Sequence, residues 1–121
     1  MRAVLLVDHG SRSEAANQVV EEVAQALRAA HGAHVEVAHM ELAAPTVADA
    51  IGACVEAGAS HVVAVPYFLG PGRHTTRDLP RLVAEAVAAH PGLTYELTAP
   101  FGADPRIVAL VAARAGLGDG A

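Results

Sequence analysis

The chain has one cysteine, four aromatic residues, and neither lysine nor tryptophan in its 121 residues. A lone Cys54 excludes an internal disulfide and any all-cysteine zinc or iron–sulfur site within one chain. Without lysine, all eight basic residues are arginine, and thirteen acidic residues leave a formal net charge of −5. That balance argues against a protein that coats nucleic acid or docks on anionic lipid through a polybasic surface. No stretch approaches ~20 consecutive apolar residues, so no segment is expected to span a bilayer. The opening MRAVLLVDHG reaches Asp8 and His9 after a short apolar run and has no small-residue cleavage site. It reads as a buried strand rather than a signal peptide, and the chain is expected in the cytosol.

Disorder is excluded as well, because 53% of the residues are hydrophobic and the charge is modest. Much of that apolar fraction is alanine, which gives a core less bulk than the percentage suggests. The length fits one domain over 1–121, with an ordered core over about 2–116, able to bury roughly two-thirds of its unfolded surface.

Residues 2–7 (RAVLLV) are nearly all apolar, as in a strand covered on both faces. In the segment that follows, Val19, Val20, Val23, Ala24 and Leu27 recur at helical spacing, with Ser13 to cap the start and Gly32 to end it. Strands are expected at 34–42, 61–69 and 93–99. Helices are expected at 46–58, capped by Thr46 and stopped by Gly58, at 76–89 with Pro80 in its first turns, and at 104–115. The alternation βαβαβαβα predicts an α/β fold, a single-domain sandwich with a four-stranded parallel sheet and helices on both faces. Ligands in such folds bind beyond the carboxyl ends of the strands. The unusual residues stand there: Asp8-His9-Gly10-Ser11-Arg12 after the first strand, Glu41 at the end of the second, and Gly70 to His74 after the third.

Of the seven histidines, His31 and His90 fall at helix ends and suit the dipole there. His34 and His61 open strands, at the far edge of the sheet. His39 lies within a strand, and its direction is not legible. His9 and His74 each follow a strand and adjoin glycine and arginine, Arg12 in the first case and Arg73 and Arg77 in the second. Two neutral imidazoles bind Fe²⁺, Co²⁺, Ni²⁺ or Zn²⁺ with positions left open, an incomplete set suited to a metal that is handed on. Glu41 offers an oxygen ligand or a proton acceptor, or is simply an exposed carboxylate. Gly10-Ser11 at a strand-to-helix turn is a weak anion-site signal, without the spacing of a nucleotide-binding loop.

Taken together, VDHGSR (7–12), MELAAPT (40–46) and PYFLGPGRHTTRDLP (66–80), with APFGADPRIV near the end, resemble the short-form sirohydrochlorin chelatases, small class II chelatases of the CbiX/SirB type. The likeness runs from about residue 3 to 115. It implies a protein that inserts Fe²⁺ or Co²⁺ into the tetrapyrrole sirohydrochlorin, in siroheme or cobalamin biosynthesis. It implies His9 and His74 as metal ligands and catalytic groups, with Glu41 at the family's acidic position. Ser11, Arg12, Arg73 and Arg77 would meet the substrate's carboxylates. The metal is then a substrate, and neither an organic cofactor nor an iron–sulfur cluster is expected. Larger relatives resemble two such halves around one cleft, so a chain of this length implies a homodimer. Two other readings stay open: a non-catalytic divalent-metal carrier using the same histidines, and a histidine phosphatase. In the phosphatase family an arginine precedes the histidine, whereas here Asp8 stands in that place.

Overall fold

The computed structural model describes residues 1–72 and 74–118, with the backbone alone described at 74 and 75. The order is β1 (Arg2–Asp8), α1 (Glu14–His31), β2 (His34–His39), α2 (Val47–Glu56), β3 (His61–Pro66), a π-helical turn (His74–Asp78), α3 (Leu79–Ala88), β4 (Thr94–Leu97) and α4 (Pro105–Ala115). The strands form one parallel sheet in the order β2-β1-β3-β4. β1 is central because its apolar run can be covered on both faces. Ala3, Leu5 and Val7 join Val62 and Ala64 under α2 and α3, where Ile51, Leu79 and Val83 are fully buried. Leu6 faces the other way, onto Val20 and Ala24 of α1 and Val35 and Val37 of β2. Each fully buried aliphatic side chain contributes about 1.5–3 kcal/mol relative to exposure.

The caps fall where the sequence places them. Ser13 accepts from the Ala16 N–H, and Gly32 closes α1 in the left-handed region, at φ 61°. At the start of α2, Thr46 accepts from the Asp49 N–H while the Asp49 carboxylate accepts from the Thr46 N–H. Three strands are shorter than expected: pairing stops at 39, 66 and 97 rather than at 42, 69 and 99. After His39 the chain still bonds toward β1, the Met40 N–H to the Asp8 carbonyl and the Glu41 N–H to the His9 carbonyl. Leu42 then takes φ 68° and turns the chain back, so that the Pro45 carbonyl accepts from the His39 N–H. Glu41 therefore sits in a loop, not in a strand. α3 begins at Leu79 rather than 76, because the π-helical turn occupies the preceding residues, with Pro80 in the first turn of the helix. α1 packs on one face of the sheet, α2 and α3 on the other, and α4 has no buried residue.

Candidate functional site

The site forms at the carboxyl edge of the sheet, where β1 ends. Parallel pairing in register sets Asp8 opposite His39, so the two side chains share a face of the sheet. His39 is 4% exposed, and its Nδ1 lies 2.5 Å from Oδ1 of Asp8. An ionised carboxylate only accepts, so Nδ1 carries the hydrogen. The pair fixes the end of β1 just before His9. The sequence alone does not reveal this pair, because the direction of His39 within its strand is not legible there. The signal was in the register, which places the last residue of β1 against the last of β2, but register was not legible before the strands were paired.

His9 is exposed and stands edge-on to Phe68, with ring centroids 4.8 Å apart at 83°. Phe68 is held there because the Tyr67 N–H donates to the Val7 carbonyl at 2.6 Å, extending the β1–β3 ladder by one residue. The Phe68 carbonyl in turn accepts from the Phe101 N–H, and Tyr67 meets the Phe101 ring edge-on at 5.3 Å. On the other side the Glu41 backbone is bonded to His9 at 3.1 Å. Connections from three strands thus converge on His9, the Glu41 loop at its backbone and Phe68 at its ring. Gly10 makes the convergence possible, since a Cβ at this position would stand 1.8 Å from the Glu41 carbonyl oxygen.

A cavity of about 220 Å³ opens beside His9, lined by Asp8, Gly10, Ser11, Asn17 and Phe68 among others. Asn17 holds the loop in shape: its Oδ1 accepts from the Ser11 N–H at 2.9 Å, and its Nδ2 donates to the Ser11 carbonyl at 2.7 Å. The Ser11 hydroxyl accepts from the Ser13 N–H. Arg12 is exposed one residue on, and Arg77 is exposed on the π-helical turn after β3. That turn is tied to the preceding loop by the Thr76 N–H and hydroxyl, both donating to the Gly72 carbonyl. Arg73 and the side chain of His74 lie outside the described residues. Among the described residues, no three histidine, cysteine or acidic side chains converge to hold a metal ion. His34, beside Glu36, and His61, between Thr94 and Glu96, lie at the far end of the sheet as expected.

A doubly wound, four-stranded parallel α/β unit with an exposed histidine, a carboxylate loop and arginine-bearing turns at one strand edge is the class defined so far. Residues 3–116 match the CbiX family, and the chain belongs to it. It is 45% identical to the chloroplastic sirohydrochlorin ferrochelatase of Arabidopsis thaliana, over 82% of this chain and 44% of that protein. It is 34% identical to the sirohydrochlorin cobaltochelatase of Methanococcus maripaludis, over 95% and 98%. Among solved structures it superposes on the cobalt complex of the sirohydrochlorin chelatase SirB of Bacillus subtilis subspecies spizizenii. The TM-score is 0.88 at 32% identity, covering 95% of this chain and 50% of that one. The chain therefore spans half or less of the plant and Bacillus proteins and nearly all of the methanogen protein. Among the described residues no helix is long and apolar enough to cross a membrane.

Proposed function

We propose that the chain is a sirohydrochlorin chelatase, inserting Fe²⁺ or Co²⁺ as a homodimer whose two carboxyl edges face a shared cleft. The observation that carries this reading is His9, exposed beside a cavity and fixed between the Glu41 loop and Phe68. Insertion replaces two pyrrole N–H protons by one divalent metal. His9 holds the incoming ion through a ring nitrogen and leaves coordination positions open for pyrrole nitrogens to replace water in turn. His74 is assigned the same role from its place in the sequence. The carboxylate of exposed Glu41, whose backbone N–H is bonded to the His9 carbonyl, takes up displaced protons. Arg12, Arg73 and Arg77, with the Ser11 hydroxyl, bind the acid side chains of the macrocycle, which an overall acidic protein would otherwise repel. No organic cofactor or iron–sulfur cluster is required, and the protein works in the cytoplasm without nucleic acid or membrane.

The phosphatase reading is disfavoured by Asp8, whose carboxylate is held by His39 at the cavity wall and opposes a phosphate there. Anaerobic incubation of protein, metal and sirohydrochlorin, followed by absorption, tests the proposal. Both Fe²⁺ and Co²⁺ should be inserted faster than without protein, and Mg²⁺, which sheds water reluctantly, should not. His9→Ala should lose at least tenfold in rate while keeping the wild-type circular dichroism. Metal binding without acceleration would leave a carrier instead, and phosphate-ester turnover would leave a phosphatase.

A further inference from the structure

His39 is the only buried polar side chain among the described residues, on the same face of β2 as Val35 and Val37. An aliphatic side chain would fill such a position without needing a hydrogen-bond partner, so what the imidazole adds is a fixed donor. Three contacts fix it. Its backbone N–H donates to the Pro45 carbonyl, its Cβ lies beside Gly10, and its Nδ1 donates to Oδ1 of Asp8. A carboxylate bound in this way is not free to turn. Asp8 is partly exposed, immediately precedes His9 and lines the same cavity.

We propose that His39 is a positioning residue that holds the Asp8 carboxylate out of the coordination sphere of an ion on His9. Asp8 then draws the cation in by its charge without retaining it. The inference rests on the chelatase reading above, in which the ion on His9 has to leave. A carboxylate beside an imidazole is a strong combination for a divalent ion, and Asp8 and His9 are neighbours in the chain. Untethered, Asp8 would chelate the ion together with His9. A further protein donor closes the sphere, as in structural sites, whereas pyrrole nitrogens need open positions. To reach the ion, Asp8 would have to abandon His39 and leave a buried N–H without a partner, a loss that opposes coordination. Its charge needs no such movement, because it attracts a cation into the cavity from a distance.

Co²⁺ binding tests this apart from turnover, followed by visible absorption without tetrapyrrole and corrected for the ions that His9→Ala still binds. His39→Leu frees Asp8 and should bind Co²⁺ about tenfold more tightly while inserting it roughly tenfold more slowly, since no buried donor is left unpaired when Asp8 turns to the ion. A merely structural role for His39 would weaken both. His39→Asn keeps an N–H donor at the same distance from the backbone as Nδ1, and should return affinity and rate toward the wild type. In an Asp8→Asn background Co²⁺ should bind more weakly than in the wild type, for want of the charge, and His39→Leu should no longer tighten it. Circular dichroism checks each fold, with His39→Met in place of leucine if that variant does not fold. Co²⁺ bound no more tightly by the apolar variant, or tightened equally in the Asp8→Asn background, would overturn the inference. A wild type that binds Co²⁺ without accelerating insertion would overturn the chelatase reading instead, and the affinities would still decide what His39 does to Asp8.

Discussion

At Gly10 two demands coincide, a φ of 88° and the close passage of the Glu41 carbonyl. An alanine would carry both the cost of the left-handed region and a clash of its Cβ with a backbone oxygen at 1.8 Å. Backbone, unlike the tip of a flexible side chain, does not move aside cheaply. Gly10→Ala should therefore destabilise the protein by about 3 kcal/mol, the upper end of ordinary single substitutions. Thermal denaturation should show Tm lower by roughly 10 °C. An unchanged Tm would mean that the Glu41 loop gives way without cost. The same substitution pushes Glu41 away from His9, so insertion should slow even where the fold survives. The glycine was conspicuous in the sequence as part of DHGSR, but its reason was not. Nothing local to residues 7–12 reveals that a loop thirty residues on will pass within contact. His39 was illegible for the same cause, since its partner Asp8 is set by pairing between strands.

The elements themselves were legible because each carries its own periodicity and its own stops. Ser13, Gly32 and Thr46 act through neighbours within three or four residues, so a local reading finds them. Strand ends depend on where pairing is lost, which is why apolar runs to 42 and 69 overstate β2 and β3. The π-helical turn at 74–78 has no local signature that distinguishes it from the first turn of α3. Within α2, Cys54 illustrates how packing changes a side chain's chemistry. Burial, with a further contribution from the charge of Glu36, pushes its thiol up from 9.0 to about 11. The unfolded chain then loses the proton at lower pH than the folded one. The associated stability is fully present below about pH 9 and is lost as pH rises through about 11. The loss amounts to as much as about 2–3 kcal/mol. Denaturant titrations between pH 8 and 11 should show the midpoint falling in the wild type and falling less in Cys54→Ala. Parallel slopes would show that the thiol is not the group involved.

For the whole molecule, charge is the property that the proposed substrate feels first. A net charge of −5 repels a polycarboxylate at a distance, so attraction has to be local, at arginines such as Arg12 and Arg77 on the carboxyl edge. The KM for sirohydrochlorin should depend on ionic strength in the wild type and should rise several-fold in Arg77→Ala, with kcat little changed. A change confined to kcat would move Arg77 from substrate binding to the chemistry itself. The opposite side of the molecule has its own consequence. β4 is an outer strand of only four residues, with Thr94, Tyr95 and Glu96 exposed, and Glu96 is engaged by His61 and lies within reach of Arg2. Short, charged outer strands are poor templates for another chain's backbone. Its free margin is therefore protected against edge-to-edge addition of another strand, and the route from a crowded solution of this protein to fibrous aggregate is blunted at that margin by a carboxylate.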